Sequence, residues 1–93
     1  MFVDDMAGKL YLHVAPELPE KPMAMVRGNI DGDDPHMMID DCLQFSLQYG
    51  VPISEFLLAE IVETIHDGAF DPDLTERTLG WISRHREVNA EQR

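Results

Sequence analysis

Cysteine is nearly absent from this chain, with Cys42 the only one among 93 residues. A lone thiol excludes an internal disulfide and leaves no cysteine set for a zinc site, and its place among apolar residues at helical spacing assigns it to packing. Basic residues are the next shortage. Lys and Arg number 7 against 18 Asp and Glu, a formal charge of −11, and neither Lys nor Arg occurs between Arg27 and Arg77. A field of that sign repels a phosphate backbone, so nucleic acid is excluded as a partner and a basic protein surface is favoured. No apolar run approaches the ~20 residues that a membrane-spanning helix needs. The opening MFVDDMAGKL is acidic and lacks the apolar stretch of a secretory signal, so the expected location is cytoplasmic.

Motifs of catalysis are missing as well. There is no GxGxxG, no P-loop and no nucleophile elbow around Ser46 or Ser54. His13, His36, His66 and His85 show no ligand-pair spacing, and each is expected at the surface or a helix end. The run Asp31, Asp33, Asp34 beside His36 lacks the regular offsets and closing Glu of a calcium loop. No enzyme, cofactor or metal site is expected.

What the chain does have is a strong centre, Met37 to His66. Met38, Ile39, Cys42, Leu43, Phe45, Leu47 and Tyr49 recur at spacings of three and four, which predicts a helix with a wide apolar face. Gly50 suits a left-handed cap, and Pro52 is pre-set for the first turn of a second helix carrying Ile53, Phe56, Leu57, Ile61, Val62 and Ile65. A helix pair over 36–66, folded back at the Tyr49–Pro52 corner, is predicted to supply most of the core.

Before this centre, Lys9 to Val14 alternates, with Leu10, Leu12 and Val14 on one face, and reads as a strand. Pro16, Pro19 and Pro22 deny N–H donors to any ladder and read as a wide connection to a second strand, Met23 to Ile30. Asp31 to Pro35 is turn chemistry, with Asp33 or Asp34 as N-cap of the first long helix. After Gly68 a third helix opens near Asp71 to Glu76, with an Asp73/Glu76 capping box, a stripe of Leu74, Leu79, Trp81 and Ile82, and Arg84, His85 and Arg86 toward its end. The expected fold is therefore α+β, one domain over 1–93: an N-terminal antiparallel β-strand pair packed on two to three α-helices, with 1–8 as lead-in and 88–93 frayed. Two strands cannot easily stand alone, so a homodimer is expected.

A strand followed by two helices resembles in outline the ribbon–helix–helix repressors, but the candidate ribbon MAMVRGN carries only Arg27 for phosphate contact. Two other pieces resemble a different family. Gly8 to His13, GKLYLH, is similar to the start of the TSCPD-type accessory domain of vitamin B12-dependent ribonucleotide reductases. Leu47 to Phe56, LQYGVPISEF, is similar to that domain's helix–turn–helix segment. The domain's Cys-containing motif has no counterpart in Gly68 to Asp73, and the chain lacks the large barrel that carries the reductase chemistry. The resemblance implies a free-standing relative of an accessory module, docking on an enzyme of nucleotide metabolism.

The function expected is a non-catalytic protein-interaction or regulatory module that docks through Asp31, Asp33, Asp34, Asp40 and Asp41 on a partner's basic surface. The alternative is a small inhibitor or nucleotide-binding sponge of the kind that phages encode, in which Arg27, Arg77, Arg84 and Arg86 hold anionic groups at a protomer interface.

Overall fold

The computed structural model describes residues 2–92, and they form helices and turns with no strand. Five α-helices follow in order: α1 (Val3–Val14), α2 (Glu20–Asp31), α3 (Pro35–Gln48), α4 (Glu55–Thr64) and α5 (Pro72–Glu91), with a 3₁₀ turn at Ala15–Glu17 between the first two. Helix α3 is the hub against which α1, α2 and α5 pack, and α4 closes on α1 and α5.

The α+β expectation is thus overturned, and the reason lies in which spacing governs burial. In α1 the buried residues are Val3, Met6, Ala7, Leu10 and Val14. That is a three-and-four repeat, which places all of them on one helical stripe. Leu12, the middle member of the supposed strand face, is 73% exposed. In α2 the buried pair is Pro22 and Val26, one turn apart, while Met25 and Ile30 face out. The prolines do not interrupt structure; they begin it. Pro19 is the N-cap residue of α2 and Pro22 lies in its first turn, where a backbone N–H has no intrahelical acceptor to lose.

The prediction of a helix pair with a corner between its members agrees with the structure, with one shift. Gly50 takes φ +72°, a left-handed conformation that costs glycine little. The second helix starts later than Pro52, because Ser54 caps it, its Oγ accepting from the Leu57 N–H at 3.2 Å. The α4–α5 connection turns at Gly68, φ +87°. Helix α5 is capped by Asp71, whose Oδ1 accepts from the Asp73 N–H at 2.8 Å, rather than by an Asp73/Glu76 box. Its buried stripe is Thr78, Ile82 and His85, with Leu74, Leu79 and Trp81 half-buried beside it. Helix α5 runs to Glu91, and Asn89 Nδ2 donates to the Ile53 carbonyl at 2.9 Å.

With no strand among the described residues, the argument for a homodimer that extends a sheet loses its premise. The strand–strand order implied by the reductase-domain resemblance is likewise missing, since Gly8 to His13 lies inside α1.

Candidate functional site

The acidic stretch 31–41 divides into two halves with different roles. At the corner between α2 and α3 the chain turns tightly: the Gly32 N–H donates to the Gly28 carbonyl at 3.0 Å, Asp33 to Ile30 at 3.1 Å and Asp34 to Asn29 at 2.9 Å. Asp33 sits at φ +50°, a region that Asp tolerates better than most residues. Asp34 caps α3, its Oδ1 accepting from the Met37 N–H at 3.0 Å. Asp31, Asp33 and Asp34 are all exposed.

One turn into α3 the carboxylates point inward. Asp40 is fully buried, its Oδ1 accepting from the Thr78 hydroxyl at 2.8 Å and its Oδ2 from Arg77 Nε at 3.0 Å. Arg77 is half-exposed, and its charged form is favoured by its hydrogen bond to Asp40 and by that carboxylate's charge. Asp41 accepts from Asn29 Nδ2 at 2.9 Å. Burial pushes the Asp41 carboxyl above its usual range, against the pull of the Asn29 bond. Asp40 therefore ties α3 to α5 and, being fully buried, does not belong to an exposed docking face as the sequence suggested, while the half-buried Asp41 ties α3 to α2.

Between α1 and the α2–α3 corner lies a groove of about 260 Å³. Ala7, Tyr11, Ile30, Pro35 and Met38 give it an apolar floor, and Asp4, Asp33 and Asp34 stand on its rim. Ile30 is 54% exposed there. Among the described residues, no Lys or Arg forms an ion pair with any of these three acids. Asn29 also lines the groove, so the bond from Asp41 positions one of its walls. The groove residues of α1 were not legible as a site, because in the sequence they looked like lead-in and strand.

The four arginines proposed for an anionic ligand are not gathered into one site. Arg77 is taken by Asp40, Arg86 binds Glu55 through Nε at 3.1 Å, and Arg27 on α2 lies beside Tyr11, whose hydroxyl raises its pKa further. Neither Arg27 nor Arg84 has an ion pair among the described residues, and of the two only Arg84 has no hydrogen-bond partner either. Arg84 lines a cleft between α3 and α5.

Among the histidines, His85 differs from expectation, while His13 and His66 are exposed and His36 stands at a helix start. His85 is buried, 2% exposed, with Nε2 at 3.0 Å from the Leu43 carbonyl and 2.9 Å from Ser46 Oγ. The Ser46 hydroxyl itself donates to Leu43 at 3.0 Å. Its proton is thus directed to a carbonyl and not to the imidazole, which is the wrong arrangement for an activated nucleophile. Desolvation lowers the His85 pKa against the opposing pull of the Leu43 carbonyl. His36 accepts the Asp71 N–H at Nδ1, 3.0 Å, and its ring lies 5.2 Å from that of Phe70, so it fastens the start of α3 to the start of α5. His13 Nε2 is 3.2 Å from the Pro52 carbonyl. Cys42 is buried and its thiol is pushed up to about 12 by desolvation and the nearby Asp41, which leaves it unreactive. Among the described residues no group of three or more His, Cys, Asp or Glu is placed to hold a metal ion, and no helix is long and apolar enough to cross a membrane.

No family model matches the chain, and no curated protein and no solved structure matches it.

Proposed function

We propose that the protein is a non-catalytic docking module, and that the groove between α1 and the α2–α3 corner receives an apolar side chain flanked by basic residues on a partner protein. The observation that carries this reading is the pairing of an apolar floor with the rim carboxylates of Asp4, Asp33 and Asp34, none of them in an ion pair among the described residues. Apolar contact supplies the affinity, and the rim charge with the −11 field steers a basic partner and rejects an acidic one. Asp31, exposed at the end of α2, extends the same acidic edge.

The test uses a defined probe, a five-residue peptide with leucine between two pairs of lysines, and a control with serines in place of the lysines. Amide and methyl shifts on titration are expected at Ala7, Ile30 and Met38 with the basic peptide only, weakening as salt rises past the ~10 Å screening length of 0.1 M. The double variant Asp4→Lys with Asp33→Lys removes that response and leaves the Asp34 cap in place. Equal binding by this variant, or shifts confined to another face, refutes the assignment of the groove.

A further inference from the structure

Along the seam of α3 and α5, Gln44, Leu47 and Gln48 line a cleft of about 210 Å³ together with Trp81 and Arg84. On α3, Gln44 stands one turn before Leu47 and Gln48, and on α5 Trp81 stands one turn before Arg84, so these residues lie along the facing sides of the two helices. Four of these five side chains carry N–H donors, and among the described residues none of the four has a hydrogen-bond or ion-pair partner. The Trp81 indole N–H is also sealed from water. An unpaired buried donor is costly to maintain, and native structures rarely leave one without a reason. Arg84 is likewise the exception among the arginines described above, all the others being engaged.

We propose that this cleft binds a small monocarboxylate with an apolar tail. Leu47 and the face of the Trp81 ring hold the tail, and the Arg84 guanidinium pairs with the carboxylate. The Gln44 and Gln48 amides, with the indole N–H once those flexible side chains rearrange, complete the donors to its oxygens. One cation matches one negative charge. A phosphate would bring nearly two into a chain that already carries −11, so the field selects against it. The volume is below the roughly 300–1,000 Å³ of drug-sized sites, which limits the ligand to a fragment-sized acid.

Trp81 is the only tryptophan, so its fluorescence and its indole N–H resonance report on the cleft directly. The protein is titrated with hexanoate, hexanamide and inorganic phosphate. Hexanoate is expected to saturate at about millimolar concentration, as suits so small a ligand, with a downfield shift of the indole proton. Hexanamide and phosphate are expected to bind at least about tenfold more weakly, and Arg84→Gln, at an exposed position, to lose a similar factor while keeping the helical circular dichroism. No saturable response to hexanoate overturns the site. Equal binding of the amide, or full affinity in Arg84→Gln, reduces it to an apolar slot and overturns the carboxylate assignment, and phosphate binding as tightly as hexanoate overturns the class of ligand. The docking reading rests on other residues, and neither test decides the other.

Discussion

Asp34 and Asp40 lie at the cap and in the second turn of the same helix, within one acidic stretch, and only their surroundings separate them. Asp34 is exposed and serves its own helix end; Asp40 is fully buried and joins two helices through Arg77 and Thr78. Local sequence makes them look alike, whereas tertiary contact makes them opposites. The comparison breaks most sharply at Asp40. Asp40→Ala leaves the Thr78 hydroxyl buried without its acceptor and Arg77 without its counter-charge. Loss of one partner of a buried pair costs about 3–5 kcal/mol, and because Arg77 is half-exposed and can rehydrate, the lower end, about 3 kcal/mol, is expected in urea denaturation. Pairing the change with Arg77→Met in a double-mutant cycle is expected to recover part of that loss.

At Asp34 the same experiment gives a smaller number. Asp34→Ala removes the acceptor for the Met37 N–H, and loss of an N-cap costs about 1 kcal/mol. Asp33→Ala, one residue earlier, removes no hydrogen bond, although it retains a backbone at φ +50° that alanine adopts less readily than aspartate. The ratio of these losses to that of Asp40→Ala measures how far the stretch divides into an outer and an inner half. Equal losses at Asp34 and Asp40 would show that the division is wrong.

Much of this was readable beforehand and some was not. The Asp34 cap, the Gly50 corner and the helical period of Met38 to Leu47 are local, since each is decided by neighbours a few residues away. The alternation of Leu10, Leu12 and Val14 was also local and misled, because six residues fit period two while the longer frame Val3, Met6, Leu10, Val14 fits 3.6. Prolines 16, 19 and 22 read as a connection by composition, yet at the start of a helix their missing donors cost nothing. The Asp40 pairing had no local signal at all. Its partners stand thirty-seven and thirty-eight positions away, and only the packing of α5 on α3 brings them together. The groove is of the same kind, being assembled from α1 and a turn some twenty residues further along the chain.

Protonation sharpens the comparison along the inner half of α3. His85 is held neutral under the C-terminal part of α3, with a folded pKa below its ordinary 6.5. Its contribution is complete above pH 6.5 and is lost as pH falls from there through the folded value. Asp41 has the opposite sign: its pKa is raised above 3.8 in the fold, so the cost of its buried charge is present at neutral pH and relieved as pH falls through the raised value. Denaturation midpoints are expected to fall first, just below pH 6.5, with Asp41 offsetting part of the loss lower down. His85→Gln keeps a side-chain donor toward the Leu43 carbonyl and is expected to flatten the first phase. A first phase unchanged in that variant would assign it to another group.

The smallest stability effect belongs to the outer half, and there its sign matters more than its size. Asp31 is the last residue of α2, where the helix dipole disfavours a negative charge. Among the described residues its side chain forms no hydrogen bond or ion pair that would offset this, although it feels the charge of Arg27 on the preceding turn. Asp31→Lys is therefore expected to stabilise the fold by about 0.3 kcal/mol, the gain through the dipole and the relief of the acidic surplus exceeding the attraction to Arg27 that it turns into repulsion. The same change is expected to weaken binding of the lysine-flanked peptide, since it places a positive charge beside the groove rim. An acid retained against the preference of its own helix but needed for binding is what a docking edge requires. If Asp31→Lys leaves peptide affinity unchanged while raising stability, that acid lies outside the edge, and the working rim contracts to Asp4, Asp33 and Asp34.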